Sequence, residues 1–288
     1  MSMLKIILRS LTPFGLVEIR RQFISHRKKI LPKGLRPVFH SKRHLYNDSV
    51  KHIKTLGSIQ GDDYEQVITY LKGRGLPEHH LREGSMPLKS LEFIREQVIS
   101  KLEEIVPIKA LHIGNFVGVS LAFLTASLVK RHPESLVVSI DPNIPHRGIL
   151  NPQIHVSALL SICGIQRNSL IVTGYSGHKS ISNDGVLFDG YDPQKEYSEE
   201  YACEEVLNNM CQISPKMFDI IFLDGNHDAT YLSNEIKQVL PILKKGGFVV
   251  LDDVDDYWVE IRDVFLKVSS LGLTPLYTDG RVGIAQLK

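Results

Sequence analysis

The run FDIIFLDGNH, residues 218–227, is a largely apolar, strand-forming stretch that stops abruptly at Asp224, Gly225 and His227. An apolar run of this length, closed by turn residues, reads as a strand covered on both faces. A second run, GGFVVLDD (246–253), ends in the same way on Asp252 and Asp253. Between them, residues 228–244 place Leu232, Ile236, Val239 and Leu243 at helical spacing, so the unit reads strand, helix, strand.

The same rhythm extends in both directions. Upstream, ALHIG (110–114), LVVSID (136–141) and SLIVTG (169–174) read as strands. The stretches 118–130 and 152–163 between them read as helices, the second closed by Gly164. Downstream, 256–268 reads as a helix with Ile261, Val264, Phe265 and Val268 aligned. The tail LTPLYTDGRVGIAQLK (273–288) reads as two strands joined by a tight turn at Thr278-Asp279-Gly280. Strands alternating with helices predict an α/β fold: a Rossmann-like, seven-stranded, mostly parallel sheet with one antiparallel strand and helices on both faces.

Three regions follow from composition and periodicity. Residues 1–60 form a basic arm, 61–106 a mainly helical extension packing on the α/β domain, and 107–288 that domain, with an insertion at 177–216. In the extension, Asp63–Lys72 and Leu88–Ile105 are expected to be helical, with the run GRGLPEHHLREGSMP (73–87) a loop that exposes His79 and His80. The insertion is too long for a bare connection. It holds Tyr191, Tyr197 and Tyr201 and an expected helix near 198–212, which suits a lid or an acceptor surface.

At 288 residues, with 43% hydrophobic and 23% charged side chains, the chain can bury a substantial core. Its three cysteines, Cys163, Cys203 and Cys211, lack the spacing of a disulfide framework or zinc site. The net charge of +2 hides an asymmetry, because residues 1–47 carry eleven Lys and Arg against Glu18 alone. That arm therefore stands at +10 and the rest of the chain at −8. An anionic partner for the arm, such as a membrane surface, a nucleic acid or an acidic glycan, is one reading; packing against its own acidic body is the other. The apolar start is interrupted by Lys5, Arg9 and Pro13 and is too short to span a bilayer. A cytoplasmic protein is expected, its arm peripheral to the inner face of the membrane.

In such sheets ligands lie at the carboxyl ends of the strands, where the winding reverses. After the first strand, HIGNFVGVS (112–120) sets Gly114 and Gly118 around a turn into a helix, a place where backbone can approach a ligand or simply pack tightly. Asp141 ends the second strand 27 residues past Gly114, where a carboxylate can accept both hydroxyls of a ribose. Asp224, Asp252, Asp253 and His227 gather at the ends of the fourth and fifth strands. Like charges so crowded call for an offset, and a hard divalent cation with oxygen ligands supplies one. The alternative, helix capping or solvent exposure, is the reading for Asp255 and Asp256.

This series of motifs resembles the class I S-adenosylmethionine-dependent methyltransferases over about residues 88–288. It is similar to the D-G-x-H group that includes sugar O-methyltransferases of the macrocin and mycinamicin kind. The resemblance implies S-adenosylmethionine as cofactor, bound by Gly114, Asn115, Gly118, Ser120, Asp141, Tyr175, Ser176 and Asp224. It implies Mg²⁺ on Asp224, Asp252 and Asp253, with His227 as general base. The chain departs from the pattern at Asp252, where those enzymes have Glu, at His112, where an acid usually ends the first strand, and at Tyr175, which replaces a common acid.

The activity so implied is methyl transfer to a hydroxyl of a sugar or other polyhydroxylated acceptor, whether glycan, glycolipid or natural product, with Mg²⁺ assisting. The competing readings are a methyltransferase for another acceptor such as RNA, and a non-catalytic nucleoside-binding scaffold. The acid-rich site disfavours nucleic acid. The sequence leaves homo-oligomerisation open.

Overall fold

Seven strands, β1 (Lys109–Ile113), β2 (Leu136–Asp141), β3 (Ser169–Thr173), β4 (Phe218–Leu223), β5 (Leu243–Leu251), β6 (Leu273–Thr278) and β7 (Gly283–Leu287), form one sheet in the order β3-β2-β1-β4-β5-β7-β6. These come from a computed structural model that describes residues 58–177, 206–213 and 215–288. The pairings from β3 through β5 are parallel, and β7 runs antiparallel to both β5 and β6. The winding reverses between β1 and β4, so the crevice of this sheet opens beyond Ile113 and Leu223.

Alternation along each strand divides the core in two. On β4, Ile220 and Phe222 face one layer while Ile221 and Leu223 face the other. The first layer holds helices α1 (Tyr64–Gly73), α2 (Glu78–Glu83), α3 (Leu88–Gln97), α4 (Val119–Arg131) and α5 (Pro152–Ile162). The second holds α6 (Val206–Ile213), α7 (Ala229–Val239) and α8 (Val259–Leu266). Residues from α1 to α3 thus share one core with Ala110, Phe222, Val250 and Ile284 of the sheet. Among the described residues no helix is long and apolar enough to cross a membrane.

Four local expectations are corrected. The helix from Leu88 stops at Gln97 and gives way to a 3₁₀ turn, Ile99–Lys101. Val98 leaves the helical region, at φ −122° and ψ −65°, and both it and Ile99 are buried in the core. The run 73–87 contains α2: Pro77 stands at its start, and Leu81 anchors it in the core at 0% exposure. His79 is exposed, but His80 is half-buried, with Nδ1 lacking a hydrogen-bond partner.

The helix of 228–244 ends at Val239, because Pro241 supplies no N–H, and Leu243 already begins β5. The last helix begins at Val259, not 256. Asp255 Oδ1 accepts the N–H groups of Tyr257 and Trp258 at 2.9 and 3.2 Å and holds a turn there instead.

Val206 and Leu207 donate their N–H groups to the carbonyls of Tyr175 and Ser176, both at 3.1 Å. This clip joins the two sides of the insertion. The lid tyrosines, residues 198–205 of the helix expected near 198–212 and residues 1–57 of the basic arm lie outside the described residues, as do Cys203 and the side chain of Cys211. Cys163 is free and half-buried, and burial pushes its thiol up to about 12, which disfavours the thiolate.

Candidate active site

The crevice between β1 and β4 is built by an unusually close approach of two loops. Gly114 has φ +87°, and a Cβ there would lie 1.8 Å from the carbonyl oxygen of Asp224. Only glycine fits, and the atom that excludes a side chain is the protein's own backbone. Gly118, at φ +92°, is the left-handed N-cap of α4 and packs against Val156, 3.3 Å from its virtual Cβ. Both glycines are therefore explained by packing. Their effect is to bring the amino end of α4, which has no side-chain cap, to the crevice.

Asp141 points back across this turn. Its Oδ2 accepts the N–H of Asn115 at 2.7 Å, and its Oδ1 accepts that of Asn143 at 2.6 Å. Burial nevertheless raises its pKa, against the lowering effect of these N–H groups and that of Phe116. Each carboxylate oxygen keeps further acceptor capacity, which a pair of ribose hydroxyls suits. Asn115 turns its own side chain away, with Oδ1 accepting from Ser139 Oγ at 2.6 Å. Ser120 Oγ accepts the N–H of Met86 at 3.2 Å. These two side chains hold the loops together.

Tyr175 lies at the clip of the insertion, and Ser176 is committed beneath it. The Ser176 hydroxyl donates to Glu235 Oε1 and lies 3.1 Å from the Tyr231 hydroxyl. Glu235 is buried at 1% exposure, its Oε2 has no partner, and burial pushes its carboxyl up to about 7. His112 is wholly buried beside Phe222, and desolvation pushes it down to about 4 against the raising effect of the Asn115 side chain. It is a neutral core residue.

The acids at the ends of β4 and β5 do converge. One carboxylate oxygen from each of Asp224, Asp252 and Asp253 can be chosen so that all three lie within 4.8 Å of one another. Asp252 and Asp253 are buried, whereas Asp224 keeps part of its residue surface open. Its carboxyl is still desolvated enough that burial, followed by Asp252 and Asp253, raises its pKa well above the usual range. Asp252 is raised by burial and by Asp253. Asp253 sits in the left-handed region at φ +60°, which turns its side chain toward His227: Nε2 is 2.7 Å from Asp253 Oδ2.

Two residues of this site lie outside the sequence-derived set. Arg281, from the β6–β7 turn, brings Nε to 3.1 Å from Asp252 Oδ1 and Nη2 to 2.9 Å from both Asp252 Oδ2 and Asp253 Oδ1. Trp258 stacks on His227, with ring centroids 4.2 Å apart and 18° between planes. A basic residue in the final tight turn and an aromatic just past the acid pair were the available signals. Asp255 stabilises the turn before α8, and Asp256 is exposed and pairs with Arg262.

A family model described as a methyltransferase domain matches residues 111–254, half of the chain. A solved structure of an SAH-bound methyltransferase, PaMTH1 from Podospora anserina, is 13% identical, covers 90% of this chain and 98% of its own, and superposes with a TM-score of 0.52. A Staphylococcus aureus structure described as a candidate caffeoyl-CoA O-methyltransferase is 14% identical over 78% of this chain and 92% of its own, with a TM-score of 0.51. These two likenesses concern the fold. An uncharacterised protein of Acanthamoeba polyphaga mimivirus is 25% identical over 110 residues, which span 38% of this chain and 48% of that protein.

Proposed function

The chain belongs to the methyltransferase-domain family, and from that premise we propose that it is an S-adenosylmethionine-dependent O-methyltransferase acting on a sugar or other polyhydroxylated acceptor. The observation that carries this reading is the pairing of His227 with Asp253 beside two further carboxylates, at the point where the winding of the sheet reverses. A scaffold gains nothing from crowding three acids and an imidazole there, whereas O-methylation needs a base at a site that binds a polar hydroxyl.

The cofactor supplies an electrophilic methyl group on a sulfonium. Asp141 would hold its ribose hydroxyls, and the amino end of α4 beyond Gly118 its carboxylate. The site would have to hold the acceptor oxygen close to that methyl group, and such positioning alone is worth effective molarities of about 10⁵ M or more. As the methyl group passes to the acceptor oxygen, His227 would take the hydroxyl proton that the oxygen gives up. Asp253 Oδ2, 2.7 Å from Nε2, would hold the imidazole in place for that role.

The donor set also fits a hard divalent cation. Asp224, Asp252 and Asp253 offer only carboxylate oxygens, which can gather within 4.8 Å of one another, the donor chemistry such an ion takes. These three residues would hold Mg²⁺, and the chemistry it would supply is a lowered pKa for a coordinated hydroxyl.

Thermal unfolding with S-adenosylhomocysteine tests the reading. At about 100 times the dissociation constant the wild type should gain ~2.7 kcal/mol, and Asp141→Ala should gain nothing. A wild type that shows no shift at millimolar ligand would return the chain to the scaffold reading.

A further inference from the structure

The acid cluster carries its own cation. Both oxygens of Asp252 are engaged by the Arg281 fork, and one oxygen of Asp253 is engaged by Nη2 of the same guanidinium. The other oxygen of Asp253 faces His227. Every carboxylate oxygen of the pair thus has a polar partner already, and Asp224 faces the pair from β4.

Arg281 is held in this position by its backbone. Its N–H donates to Asp279 Oδ1 at 2.9 Å, and its carbonyl accepts the N–H of Val254 at 2.8 Å, one residue past the acid pair. Asp279 Oδ1 also accepts the N–H of Val282, and Oδ2 accepts the hydroxyl of Ser90 on α3 at 2.8 Å. The turn is therefore fixed at both ends to elements that frame the site. The side chain retains 31% exposure, which leaves it room to swing outward.

We propose that Arg281 is a resident counter-ion of this cluster, and that a divalent cation fills the site only by taking Asp252 away from it. The inference rests on the metal-assisted reading of the acids. A guanidinium stays charged at any physiological pH, so it cannot yield by losing a proton and has to move. An entering ion breaks the two-pronged contact with Asp252 before it gains that ligand, and its affinity is lowered by the same amount. Arg281 thereby sets the concentration at which the site fills, and it keeps the three acids together when no ion is bound.

Mn²⁺ binding to the full chain, followed by the paramagnetic resonance signal of the free ion without cofactor, tests this on wild type, Arg281→Met and Arg281→Lys. Arg281→Met should bind Mn²⁺ at least about tenfold more tightly, and Arg281→Lys, a point charge without the fork, should fall between. Equal or weaker binding by Arg281→Met overturns the proposal, as does the absence of Mn²⁺ binding to all three proteins. If Arg281→Met does not fold, Arg281→Lys decides: tighter binding than wild type supports the competition, and unchanged binding overturns it. S-adenosylhomocysteine binding, measured on the same proteins, reports separately on the methyltransferase reading.

Discussion

Nε2 of His227 and Oδ2 of Asp253 stand 2.7 Å apart, and Asp253 reaches this position through a backbone at φ +60°. Left-handed backbone is unfavourable for most side chains but tolerated by Asp and Asn. Asp253→Asn therefore keeps the backbone conformation while removing the charge that orients the imidazole. We expect it to lower kcat by about 100-fold or more, and His227→Ala to lower it further, with S-adenosylhomocysteine affinity held within about twofold in both. Steady-state kinetics and calorimetry on the same preparations check this. Loss of cofactor binding in parallel with kcat would make the pair structural.

The contact between Gly114 and the Asp224 carbonyl makes a prediction about stability. In Gly114→Ala the new Cβ meets backbone at 1.8 Å, which no side-chain motion relieves. We expect a loss of roughly 3 kcal/mol or more, or failure to fold. Gly75 is the control, because it has nearly the same φ, +89°, but nothing within 4 Å of its virtual Cβ. Gly75→Ala should cost only about 1–2 kcal/mol, the price of the left-handed backbone alone. Urea unfolding of the two variants separates the steric from the conformational effect.

Glu235 gives the fold a dependence on pH. Its carboxyl is pushed up to about 7 by burial, so the folded state binds the proton more tightly than the unfolded chain does. That stability is fully present below the ordinary carboxylate pKa and is lost as pH rises toward 7, by up to about 3 kcal/mol. His112 and His155, both pushed down to about 4 by burial, contribute slopes of the opposite sign over a similar range. The test is therefore the difference between wild type and Glu235→Gln. The variant should be comparable at pH 5 and progressively more stable than wild type toward pH 8. A constant difference across that range would remove Glu235 from the account.

The strands and their terminal acids were legible in the sequence because each apolar run ends on a charge. Ile140 precedes Asp141, Leu223 precedes Asp224 and Leu251 precedes Asp252, and in a parallel sheet all such ends point the same way. The partners were less legible. Arg281 is 28 residues from Asp253 and meets it because β7 returns antiparallel to β5, a register that no local pattern records. Trp258 reaches His227 because the Asp255 turn delays the start of α8, whereas uninterrupted helical periodicity predicts it inside the helix. The glycines were legible as turn residues, but what fills the space beside Gly114 depends on a strand more than a hundred residues away.

The clip that joins Tyr175 and Ser176 to Val206 and Leu207 has a consequence for how this chain can change over evolutionary time. Entry to and exit from the intervening segment are fastened to each other by main-chain groups, which make no demand on side-chain identity. Sequence between the two fasteners can lengthen, shorten or be exchanged with little strain passed to β3 or β4. The fastening thus separates the demands on the sheet from those on the sequence between, so that the latter can vary while the main-chain geometry of the former stays in place.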